Sequence, residues 1–166
     1  MVIVTASCPV HAQEQKFKAD LKSNSIIPRA LKNIKASGTA EFMIVQNATA
    51  TTTAESIPDI NYTIKVNGIS RDNVSAISIN KGHSGENGPR VYLFPNSTLT
   101  IQPTGILLAT GKIDPLKLEG PFNKGKYSSL LLSETISKGD TYVIIRTAQN
   151  PHGEIRGQIL KLNIIQ

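Results

Sequence analysis

Residues 61 to 66 alternate without a break: Tyr62, Ile64 and Val66 fall on one side, and Asn61, Thr63 and Lys65 on the other. A period of two predicts a half-buried β-strand, and the Asn67-Gly68 pair that follows marks a turn. Val74–Asn80 reads the same way, with Ile77 and Ile79 on one face and Ala76, Ser78 and Asn80 on the other. Ala40–Val45 is a further β-rich run after Gly38, and Arg90–Phe94 resumes as a strand beyond the glycine-rich loop Lys81–Pro89. Residues 95 to 125 predict short strands broken by Pro95, Pro103, Gly105, Pro115 and Pro121. Thr141–Thr147 and Glu154–Ile165 close the chain as two strands joined across Ala148–Gly153. Thr49–Thr53 is a low-complexity stretch, read as a loop.

The period changes once. Tyr127–Ile136 carries Leu130, Leu131 and Leu132, with Ser128 as the candidate cap and Lys138-Gly139 as the stop signal, so one short helix is expected near 127–137. Residues 13 to 35 lack a β pattern and read as a polar, basic lead-in with an extended step at Ile27-Pro28. Many short strands between turn signals predict an all-β sandwich or barrel over residues 36–166.

The chain has 166 residues, enough for one domain with a sizeable core. It contains no Trp and only 5% aromatic residues, which argues against a nucleic-acid reader built on base stacking. The formal net charge is +6, and the stretch from Glu14 to Lys35 supplies +4 of it through Lys16, Lys18, Lys22, Arg29, Lys32 and Lys35 against Glu14 and Asp20. Two readings fit this stretch: weak electrostatic contact with phosphate or an acidic surface through Lys16–Lys35, or a solvated leader.

Cys8 is the only cysteine, which excludes an internal disulfide and any CxxC pair. Met1–Ala12 is free of Lys, Arg, Asp and Glu and ends in Val10-His11-Ala12 before polar Gln13-Glu14-Gln15. It reads as the remnant of an export signal, with a frayed terminus and a lipid-anchored Cys8 as the alternatives. The triplets at Asn47, Asn61, Asn73 and Asn96 fit the N-x-S/T pattern of glycosylation acceptors in exported chains. No segment approaches the apolar length of a membrane span.

The Lys138–Thr147 run (KGDTYVIIRT), followed by Asn150–Ile159 (NPHGEIRGQI), resembles the C-terminal signature of chordin-type (CHRD) domains: G-x-x-Y-V-N-V-H-T, a short loop, then G-E-I-R-G-Q-I. Gly82 and Gly85–Pro89 resemble the loop after that family's H-I-H strand, and Ala36–Ala40 resembles its first strand. The similarity runs from about residue 17 to 162. It implies an antiparallel, Greek-key-like β-sandwich, immunoglobulin-like or superoxide-dismutase-like. Such domains occur in chordin, a secreted developmental binder, and in many exported microbial proteins. Family members often carry three histidines, two from H-I-H and one from V-H-T, whose clustering suggests a metal site. In this chain those positions are Ser78, Asn80 and Arg146. Serine and asparagine are poor ligands for transition metals and arginine is a permanent cation, so the family-type site is expected to be lost. Arg146 would instead hydrogen-bond Ser78 and Asn80, or hold an anion or carboxylate.

His83 and His152 lie in loops, and a rearranged metal site with Glu86 or Glu154 is the alternative chemistry. Glu154, Arg156 and Gln158 share a strand face, either as a polar contact patch or as cross-strand partners. No serine–histidine–acid triad or paired-carboxylate arrangement can be drawn, and Gly82-x-x-Gly85-x-x-Gly88 lacks the strand–loop–helix order of a phosphate cradle. The expectation is an exported or cell-surface, non-catalytic binding or structural module with a protein or glycan partner and no cofactor. Its candidate partner or anion contacts are Ser78, Asn80, His83, Arg146, His152, Glu154 and Arg156. The alternative is a metal-binding or superoxide-dismutase-like protein using His83 and His152.

Overall fold

In the computed structural model, which describes residues 13–28, 35–46 and 57–163, the basic stretch opens as a strand, β1 (Gln13–Lys22). Phe17, Ala19 and Leu21 are fully buried, while Lys16 and Lys22 are exposed. The lead-in expected over residues 13–35 is therefore corrected in its first half. The lysines are the outer row of an amphipathic strand, and their charge masks the period of two carried by Phe17, Ala19 and Leu21. Met1–Ala12, the Thr49–Thr53 loop, Asn47, Arg29 and Lys32 lie outside the described residues.

Strand β1 pairs antiparallel with β2 (Ser37–Gln46) along its whole length, and β2 pairs with β3 (Asp59–Asn67). The predicted alternation over 61–66 holds, with Tyr62, Ile64 and Val66 buried. The remaining strands are β4 (Val74–Lys81), β5 (Arg90–Leu93), β6 (Leu99–Ile101), β7 (Leu107–Lys112), β8 (Thr141–Thr147), β9 (Ile155–Gln158) and β10 (Leu160–Lys161). All described pairings are antiparallel, in the order β5-β4-β8-β9-β1-β2-β3-β7-β6, with β10 on β1.

The sheet curls so that its two halves share one core. Phe17, Phe42 and Tyr62 from one half cluster with Ile77, Ile79, Val143 and Ile145 from the other. The Tyr62 and Phe94 rings meet edge-on at 4.7 Å across it. The all-β, sandwich-like expectation is met, but one hydrogen-bonded sheet provides both layers, linked where Lys22 of β1 pairs with Arg156 of β9. Gly157 permits that link, because a Cβ there would be driven into the Asp20 carbonyl.

The helix α1 spans Ser128–Ser137 and buries Leu132 and Ile136 against the core. Ser128 is not its cap. Its Oγ accepts from the Lys124 N–H at 2.8 Å, and Tyr127, in the preceding 3-10 turn, is the capping position. Over residues 95–125 only β6 and β7 are strands, followed by 3-10 turns at Pro115–Lys117, Gly120–Phe122 and Gly125–Tyr127. The last predicted strand is interrupted at Ile159, whose N–H still reaches the Thr141 carbonyl before Leu160 and Lys161 cross to β1.

Candidate binding face over β4, β8 and β9

Strands β4, β8 and β9 are buried on both faces, unlike the outer face of β1. Their inward residues, Ile77, Ile79, Val143, Ile145 and Ile155, belong to the main core. On the other face register sets Ser78 opposite Ile144, Asn80 opposite Tyr142, and Ile144 opposite Arg156. Tyr142 and Ile144 form a second small cluster there with Ile26.

The positions that resemble the family's histidines converge on this face. Arg146 Nη1 donates to Ser78 Oγ at 3.0 Å, and Ser78 Oγ donates to Asn80 Oδ1 at 2.8 Å. Asn80 Nδ2 donates in turn to the Gly88 carbonyl at 2.9 Å. Ser78 and Asn80 are buried and Arg146 is half-buried. The donor set does not fit a divalent transition metal, because a fixed guanidinium stands against the hydroxyl and amide that replace imidazole. Nor is Ser78 an activated nucleophile: its proton points at a neutral amide oxygen and its lone pair is taken by arginine.

The second arginine has a different task. Arg156 is 2% exposed, and its guanidinium carbon lies 3.4 Å from the centroid of the Tyr142 ring. Its Nη1 donates to Asn87 Oδ1 at 3.0 Å, and its Nη2 to the carbonyls of His83 at 3.1 Å and Glu86 at 2.6 Å. Burial lowers its pKa, and the neighbouring Tyr142 phenol opposes that shift in part. Gln158 Nε2 reaches the Gly82 and Gly139 carbonyls at 2.9 and 2.6 Å, and Tyr142 Oη accepts from the Gly88 N–H at 3.1 Å. Asn87 Nδ2 donates to the Ile27 carbonyl at 2.6 Å. The glycine-rich 81–89 loop is thus stapled onto the sheet by β8 and β9. This packing explains why a polar strand face is buried.

The remaining candidates separate. His83 Nδ1 lies 2.8 Å from Asp140 Oδ1, on an imidazole that is 65% exposed. His152 is exposed in the turn after β8 and lines a cleft with Arg146. Glu154 Oε2 accepts from Thr147 Oγ1 at 2.8 Å and Asn150 Nδ2 at 2.6 Å, which closes the 147–154 turn. Arg156 and Glu154 therefore bond inward rather than forming an outward polar patch. Among the described residues no group of three or more His, Cys, Asp or Glu side chains is placed to hold a metal.

Sequence reasoning missed Asn87 and Tyr142 as parts of this site. Tyr142 was legible, since the period of two puts it on the face of Arg146. Asn87 gives no periodic signal, because its partners Ile27 and Arg156 lie 60 and 69 residues away along the chain.

A family model for the CHRD domain matches residues 17–159. Comparison with curated proteins gives no match, and neither does comparison with solved structures.

Proposed function

The chain belongs to the CHRD domain family, and we propose that it is an extracytoplasmic, non-catalytic binding or structural module in which the family's histidine positions have become an arginine-centred polar relay. The observation that carries this reading is the Arg146–Ser78–Asn80 chain of hydrogen bonds. A permanent cation occupies the locus, held by Ser78 Oγ, which Asn80 orients in turn. The partner is a protein or glycan at the cell surface, met through the loops and the rim of this face. Family membership supports an exported location. Among the described residues no helix is long and apolar enough to cross a membrane.

Copper and zinc titration of the chain from Gln13, beside the triple variant Ser78→His, Asn80→His, Arg146→His, tests the reading. The natural chain is expected to stay empty while the variant binds, since the three positions share one face of the β4–β8 pair and adjoin. Tight loading of the natural chain would overturn the non-catalytic reading and send the search to His83 and His152.

A further inference from the structure

Arg146 has one of its five N–H donors committed to Ser78. Among the described residues no carboxylate lies within ion-pair distance of it, although four other Lys or Arg side chains have one. The guanidinium stands in a cleft of about 210 Å³ of mixed lining: Ile27, Pro28, Ile144 and Pro151 are its apolar side, Asn87 and Gly88 add polar groups, and the exposed His152 also lines it. That volume falls below the roughly 300–1,000 Å³ of pockets that enclose whole small molecules, so the cleft suits a group the size of one side chain. Ser78, held by Asn80, fixes the orientation of the fork before any ligand arrives. A half-buried, pre-oriented guanidinium with no carboxylate partner among the described residues is matched by a planar anion that accepts two hydrogen bonds.

We infer that this cleft is a carboxylate subsite that takes an aspartate or glutamate side chain of a protein partner. The inference rests on the binding-module reading above and names its ligand class. The aliphatic and proline part of the lining favours a peptide over an acidic glycan. Aliphatic and proline surfaces pack against the methylenes of an acidic side chain. A sugar ring is usually met by an open aromatic face, and here Tyr142 is 1% exposed beneath Arg156.

The test is binding of a fluorescent tetraglutamate peptide to the full chain, with tetraglutamine and tetragalacturonate as comparators. The natural chain is expected to bind tetraglutamate alone. Arg146→Gln should weaken binding about tenfold or more, the scale of a lost charge-assisted pair. Lys16→Gln, which removes an exposed charge on β1, should weaken it less than about twofold. Equal losses in the two variants would reduce the effect to net charge and overturn the site. Arg146-dependent binding of tetragalacturonate in preference to the peptide would overturn the protein assignment. If Arg146→Gln fails to fold, propionate titration of the natural chain, read at the Arg146 side-chain N–H resonances, decides: a saturable shift supports the subsite and its absence sinks it. A silent peptide titration removes this inference alone. The non-catalytic reading falls separately, on copper or zinc loading.

Discussion

Replacing Arg156 by Met keeps an unbranched apolar stem and removes the charged fork that pins the 81–89 loop. Three hydrogen bonds are lost, to Asn87 Oδ1 and to the His83 and Glu86 carbonyls. Bonds from a charged donor are worth about 1.5–3 kcal/mol each when a partner is deleted. His83, Glu86 and Asn87 are exposed residues, however, so water recovers much of that loss. The contact with the Tyr142 ring adds about 2 kcal/mol for a desolvated cation. Against both stands the cost of burying a guanidinium, visible in its lowered pKa, which Met avoids. The balance is a destabilisation of about 2–4 kcal/mol, or a fall in Tm of about 5–15 °C for a domain of this size. Urea unfolding measures the first quantity. Native-state hydrogen exchange measures the local one, through the amides of Gly82 and Glu86, which bond to Asp140 and His83. A variant within about 0.5 kcal/mol of the natural chain, with those amides still protected, would refute the clamp.

Four further outcomes follow from the same geometry. Gly157→Ala should cost at least about 2–3 kcal/mol in urea unfolding, because its Cβ meets rigid backbone at Asp20 where the two half-sheets join; a cost under about 1 kcal/mol would show that β1 and β9 can separate. Tyr142→Phe keeps the ring under Arg156 but leaves the Gly88 N–H without its 3.1 Å partner, so a loss of about 1 kcal/mol is expected, with no change in the far-ultraviolet spectrum. Thr141→Val should be neutral or stabilising by up to about 1 kcal/mol, since the buried Thr141 hydroxyl has no hydrogen-bond partner among the described residues; clear destabilisation would reveal one. Burial, chiefly, raises the Tyr92 pKa above the usual tyrosine value of about 10. The unfolded chain therefore ionises first, and Tyr92 contributes stability that is complete below pH 10 and lost as pH rises through the folded value; Tyr92→Phe should flatten that alkaline decline in a stability–pH series.

The strand pattern from Ser37 onward was readable because one-sided burial writes itself into the chain as alternation. Tyr62, Ile64 and Val66 are buried, with Thr63 and Lys65 between them. The same logic placed Ile77 and Ile79 inward and Ser78 and Asn80 together on the opposite face. β1 escaped that reading because charge dominates its composition. Its three buried residues, Phe17, Ala19 and Leu21, carry the alternation beneath a row of lysines. The helix was placed by its leucines, but its cap was not, since Ser128 is drawn to a backbone N–H in the turn before it.

Local order in the chain determined which residues form strands, which of their side chains share a face, and that the positions resembling the family's histidines hold Ser78, Asn80 and Arg146. Those properties depend on backbone geometry with a period of two, so neighbours along the chain suffice to define them. Only the tertiary structure decided what covers the outer face of β4, β8 and β9, and so which arginine is spent and which is available. Arg156 finds its acceptors about 70 residues away in a loop that closes over it. Arg146, ten residues before it and on the same face, meets one hydroxyl and a cleft. Two residues of one type in one short motif thus diverge in role, because the free energy of a buried charge depends on which polar groups the fold brings to it.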